Sequence, residues 1–131
     1  MGCCLDTAEI FDPNTGTWQT TPMPLPRVPL AAVVLNDGRV LVMGGTENVL
    51  KSTFSADIYD PTSNTWKPTA DMHWRRDQGA AVVLEDDRVL VTGGFNAFAS
   101  DGSKIILPTA EVFDETLDIS ERSWLGVRGV Q

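Results

Sequence analysis

The stretch Ala31-Ala32-Val33-Val34-Leu35-Asn36-Asp37-Gly38-Arg39-Val40-Leu41-Val42-Met43-Gly44-Gly45 decides the fold. Its first five residues are small or β-branched, with no polar alternation. That is the pattern of a strand covered on both faces, and the run is too short for a buried helix. Asn36-Asp37-Gly38 then supplies residues that tolerate positive φ, as a tight reversal needs. A second apolar run ends on paired glycines, where a bare backbone allows a bend or a close approach. The whole pattern returns 49 residues later, as Ala80-Ala81-Val82-Val83-Leu84, then Arg88-Val89-Leu90-Val91, then Gly93-Gly94.

Working outward, a second motif lies between these copies. Thr7-Ala8-Glu9-Ile10-Phe11-Asp12-Pro13 precedes Trp18, and Ser55-Ala56-Asp57-Ile58-Tyr59-Asp60-Pro61 precedes Trp66. A third copy, Thr109-Ala110-Glu111-Val112-Phe113-Asp114, precedes Trp124. In each, alternate residues share a face. In the middle copy Ala56 and Ile58 face one way and the acid Asp57 points away. Asp-Pro closes the strand, because proline cannot donate to a ladder. A short polar turn leads to a fourth strand at the tryptophan. The order along the chain is therefore half a unit, a whole unit and a whole unit, each whole unit having four short antiparallel strands.

A four-stranded unit recurring at about 50 residues has the size of a propeller blade. The residues resemble the kelch family. The double glycines Gly44, Gly45, Gly93 and Gly94 match its motif, as do Tyr59 (Phe11 and Phe113 in the other copies), the tryptophans Trp18, Trp66 and Trp124, and the arginines Arg27 and Arg76. The resemblance runs from about Thr7 to Trp124 and looks closest to bacterial or galactose-oxidase-like kelch blades. It implies an all-β, partial kelch-type β-propeller of about two and a half blades. Residues 1–131 form a single partial propeller: 1–23 an outer half-blade, 24–72 a blade and 73–131 a blade with longer loops. It also implies that the aromatic and the tryptophan pack between neighbouring blades. So few blades read as a fragment, a truncated gene or an engineered piece, with open edges that invite self-association.

Candidate contact residues sit where the copies diverge. The connection from Gly94 to Ala110 is five residues longer than its counterpart from Gly45 to Ala56, and the third copy has Glu115 in place of proline. The longer loop carries Phe95, Asn96, Phe98 and Asp101, and loops carry variation and function. Arg27 and Arg76, with Arg75 beside them, have two readings. One is a structural bridge, made easier by nearby Asp71 and Asp77. The other is a positive ring attracting acidic or sugar ligands.

Enzymatic chemistry is not expected. His73 is the single histidine and lies in a connection between blades. Copper oxidases of the galactose-oxidase type use tyrosines and histidines as ligands, and the one tyrosine, Tyr59, occupies a structural position. Asp86-Asp87 and Asp101-Gly102-Ser103 lack the ligand spacing of an EF-hand and read as turns. No catalytic, cofactor or metal residue is therefore assigned. Cys3 and Cys4 are adjacent, which is poor geometry for an ordinary disulfide. The Met1-Gly2-Cys3-Cys4 start lacks the Ser or Thr of a myristoylation signal, having Asp6 there.

A net charge of -8 argues against a phosphate backbone as partner. The chain has no apolar run long enough to span a bilayer. The expected function is a binding or scaffold module meeting a protein partner through its inter-strand loops. The alternatives are a non-catalytic segment of a larger galactose-oxidase-like enzyme and a carbohydrate-binding surface protein.

Overall fold

The computed structural model describes residues 4–48, 51–97, 103–116 and 124–127. The strands in chain order are β1 (Thr7–Asp12), β2 (Thr17–Pro22), β3 (Ala31–Val34), β4 (Val40–Met43), β5 (Thr46–Asn48), β6 (Lys51–Ser52), β7 (Ala56–Asp60), β8 (Thr65–Thr69), β9 (Ala80–Val83), β10 (Val89–Thr92), β11 (Phe95–Ala97), β12 (Lys104–Ile106), β13 (Ala110–Phe113) and β14 (Trp124–Val127). All pairings are antiparallel. β3-β4-β7-β8 form the first blade, β9-β10-β13-β14 the second, and β1-β2 a leading hairpin. The all-β reading of the repeats holds. The two-stranded ribbons β5-β6 and β11-β12, set into the connections after each double glycine, were not expected.

Local chemistry explains the turns. Leu35 donates to Arg39 O at 2.8 Å and Leu84 to Arg88 O at 2.7 Å, so both blades close their first hairpin at the same point. Gly38 takes the left-handed conformation in one copy and Asp87 in the other. The third-strand aspartates cap the next turn alike: Asp12 accepts from Asn14 N, Asp60 from Thr62 N and Asp114 from Thr116 N, at 2.9 to 3.0 Å. The third copy keeps this aspartate contact although Glu115 stands in place of the proline.

Gly45 and Gly94 show why the second glycine of each pair is needed. Their φ values are 94° and 84°. A Cβ would stand 1.9 Å from Val28 O at the first and 2.4 Å from Asp77 O at the second. Those oxygens belong to the matching bridges Val28↔Thr46 and Asp77↔Phe95, which pin the connecting segment against the end of the sheet.

The core sits within and between the blades. Leu41, Met43, Val89, Val91, Phe113 and Trp124 are buried. Each tryptophan lies directly across from its aromatic partner: Phe11↔Trp18, Tyr59↔Trp66 and Phe113↔Trp124. All three ring pairs are 5.1 Å apart and tilted by 43° to 49°. The aromatic pair is thus a contact within the blade, a tilted arrangement worth about 0.5–1.5 kcal/mol beyond burial. The indole N–H makes the contact between units. Trp66 Nε1 donates to Thr21 Oγ1 at 3.1 Å, and Trp124 Nε1 to Ala70 O at 2.7 Å. Thr21 stands near the end of the leading hairpin's fourth-strand position, and Ala70 directly follows that of the first blade. Trp18 is 65% exposed, whereas Trp124 is 1% exposed. Cys4 is disulfide-bonded, and Cys3 lies outside the described residues.

Candidate interaction surface

Antiparallel succession sorts the connections onto two rims. The turns at 35–39, 60–65 and 84–88 lie on one. The opposite rim carries the glycine connections with their ribbons and the segments that enter each blade, 23–30 and 70–79. The connections that follow the double glycines, the second of them five residues longer than the first, fall on this second rim.

Two buried arginines organise it. Arg27 is 3% and Arg76 0% exposed. Arg27 Nη1 donates to Ser55 O at 2.9 Å and Nη2 to the Asp57 carboxylate. Arg76 is held more fully: Nε donates to Glu111 Oε2 at 3.0 Å, Nη1 to Gly93 O and Thr109 O at 3.0 and 2.9 Å, and Nη2 to Thr109 Oγ1 at 2.8 Å. Each arginine enters a blade and clamps the acid on that blade's own third strand. Burial pushes the Asp57 carboxyl above its ordinary range, against the pull of Arg27. It likewise draws Arg27 downward, against the pull of Asp57. The third-strand acids point away from the face of Ala56 and Ile58, as expected, and into a buried pair. The arginines face the interior, so they form no positive ring. Their partners are Asp57 and Glu111, while Asp77 accepts from Thr46 Oγ1 and Asp71 is exposed.

In the second blade the acid does more. Glu111 Oε1 also accepts from His73 N at 2.5 Å and lies 2.8 Å from His73 Nδ1. The first blade has Asp57, one methylene shorter, and Pro24, which has no N–H, at the matching positions. The Glu111–His73 contacts therefore pin a segment that the first blade leaves without this anchor. That segment continues through Trp74, 49% exposed, and Arg75, whose guanidinium stands 4.6 Å from the Phe54 ring centroid and donates to Ser52 O at 2.9 Å. The result is an exposed indole and a cation stacked on an aromatic ring, on a loop with fixed ends.

The loop residues singled out from the sequence fall differently. Phe95 opens β11 and is buried, because its backbone pairing with Asp77 draws the ring inward under Lys104 Nζ, 4.3 Å from its centroid. Asn96 is half-buried in β11. Phe98 and Asp101 lie outside the described residues. Trp74 was passed over. Its signal was that it breaks the repeat: the other three tryptophans recur in register, while the counterpart of Trp74 in the first blade is Leu25.

Comparison with known proteins agrees with this architecture. Residues 27–73 match the family model of the Kelch motif. Two F-box/kelch-repeat proteins of Arabidopsis thaliana are similar to the chain. One is 42% identical over 63 residues, 46% of this chain and 18% of that protein. The other is 32% identical over 71 residues, 53% of this chain and 26% of that protein. Among solved structures, a fungal alcohol oxidase of the AA5 family in complex with copper superposes with a TM-score of 0.68 at 19% identity. That superposition covers 94% of this chain and 24% of the oxidase. The fold and repeat define a segment of β-propeller. Residues 27–73 carry a Kelch motif, and the chain spans about a quarter or less of the length of these relatives.

Proposed function

We propose that the chain is a protein-interaction module, and that it meets its partner through the rim carrying the 73–75 segment. The observation that carries this reading is the pinned, exposed indole of Trp74 beside the Arg75–Phe54 stack. Aromatic and arginine side chains dominate binding energy at protein interfaces, and they work best when held before the partner arrives. Kelch-repeat relatives named for an F-box alongside their kelch repeats support a module of this kind by analogy of family.

The test is site-specific photo-crosslinking in cells, with the photoreactive residue at 74 or, on the opposite rim, at 36. Position 74 should give a discrete crosslinked protein and position 36 none, and Arg75→Ala should weaken the crosslink. Equal labelling from both rims, or none from 74, would overturn the reading.

A further inference from the structure

The segment that enters the second blade departs from its counterpart at three consecutive residues. Pro24-Leu25-Pro26 in the first blade becomes His73-Trp74-Arg75 in the second, 49 positions on. The first triple has no hydrogen-bonding side chain. The second opens with the chain's single histidine, whose side chain is 32% exposed.

The bonds behind this ring decide which of its nitrogens carries the proton. The Glu111 side chain is buried, and its Oε2 accepts from Arg76 Nε at 3.0 Å. Its Oε1 accepts from His73 N at 2.5 Å and lies 2.8 Å from His73 Nδ1. A guanidinium and a backbone N–H can only donate, and a proton on Glu111 would leave the buried Arg76 without its counter-charge. Glu111 is therefore a carboxylate that only accepts, so Nδ1 is the ring nitrogen that bears hydrogen. The other nitrogen of a neutral imidazole is then an acceptor. His73 Nε2 makes no hydrogen bond among the described residues.

We propose that His73 Nε2 is a fixed hydrogen-bond acceptor on the binding rim, and that it takes an amide N–H or hydroxyl of the partner protein beside Trp74. The proposal rests on the reading of this rim as a binding face and names the chemistry that the partner must present there. A carboxylate or carbonyl at that place would meet a lone pair and be rejected. Acid reverses the preference, because an imidazolium donates from both nitrogens. Recognition should therefore fall as His73 takes up a proton. The anchor itself would not loosen, since Nδ1 then donates to Glu111 as a charged group. Glu111 is the titratable group that faces His73 from another element, and Asp71, Arg75 and Arg76 are those on its own segment. Loss of binding in acid thus reads the acceptor and not the pinning of the loop.

Two measurements test this. With one histidine in the chain, long-range proton–nitrogen NMR of the purified protein at about pH 8, where histidine side chains are neutral, reads the tautomer directly. The Nδ1–H form is expected, and an Nε2–H or mixed population overturns the proposal. The second is photo-crosslinking from residue 74 in clarified cell extract from about pH 8 to about pH 5.5, the range in which histidine changes charge. It is scored on the protein that residue 74 captures in cells. The yield should fall about tenfold toward acid, the consequence of leaving a partner donor unpaired. His73→Gln keeps an uncharged acceptor and should crosslink across the range without that fall. His73→Phe has no acceptor and should crosslink weakly throughout. A fall that persists in His73→Gln, or no fall in the unchanged chain, overturns the proposal and leaves the rim reading standing. No capture from residue 74 at any pH overturns both.

Discussion

The first and second blades follow one plan and part company at a few matched positions. Both have the arginine–acid clamp, the double glycine, the capped turns and the aromatic–tryptophan pair. Where the first has Asp57, Pro24 and Pro61, the second has Glu111, His73 and Glu115. The shared positions are buried or conformationally special, and they hold each blade together. The divergent ones lie at the rims. There, each change adds a bond that the first blade lacks.

The largest expected effect tests the clamp. Replacing Arg76 with Met would leave Glu111 buried without its main counter-charge, and breaking one side of a buried pair costs about 3–5 kcal/mol. Arg27→Met should cost less. Its guanidinium makes fewer hydrogen bonds, and Asp57, already pushed toward its neutral form by burial, tolerates the loss better. Urea denaturation of both variants measures the ordering. Equal losses would mean that the extra bonds of Arg76 and the Glu111–His73 contact add nothing to the second blade.

The glycines give the next contrast. Gly45 and Gly93 both have positive φ, 94° and 68°, but a Cβ at Gly93 would meet nothing within 4 Å, whereas at Gly45 it would strike backbone. Gly93→Ala should cost only the left-handed strain, about 1–2 kcal/mol. Gly45→Ala should exceed that by displacing the Val28–Thr46 bridge. Thermal melts of the two variants separate strain from clash, and a Gly93→Ala as damaging as Gly45→Ala would show that the glycines serve only through their backbone angle.

This contrast also marks how far the sequence could be read. Strand order, blade number and the special character of the double glycines were legible, because period-two alternation, turn residues and a 49-residue offset are local signals. The clamp was half legible. The arginines recur, but their partners lie 30 and 35 residues away, and an acid on an alternating strand looks solvated until the opposite face proves to be covered. The ribbons were invisible because strands of two or three residues carry no periodicity. The site was the least legible part, since Phe95 looked like a loop aromatic until its backbone pairing placed it inside. Departures from the repeat were the better guide: Trp74 against Leu25 and His73 against Pro24 both mark exposed rim residues.

The smallest effect concerns the opposite rim, where the missing proline has a physical counterpart. Nη1 and Nη2 of Arg39, on the first blade's hairpin turn, donate to the two Glu115 oxygens at 2.6 Å, and its Nε donates to Asp37 at 2.8 Å. These bonds raise the Arg39 pKa, the Glu115 contact foremost. Arg88, the equivalent residue of the second blade, bonds to Asp86 of its own turn. Glu115 thus ties the second blade's last turn to the first blade, in a way that Pro61 cannot reproduce for the preceding hairpin. The pair is part-exposed, so Glu115→Gln should cost only about 0.5–1 kcal/mol even with bidentate geometry. The loss should shrink as salt is raised, because exposed charges are screened. Arg88→Gln should lose less, since Asp86 is a local partner that ties no second blade. Melting both variants at low and high ionic strength checks this. A salt-independent loss in Glu115→Gln would mean that residue 115 acts through turn conformation rather than through charge.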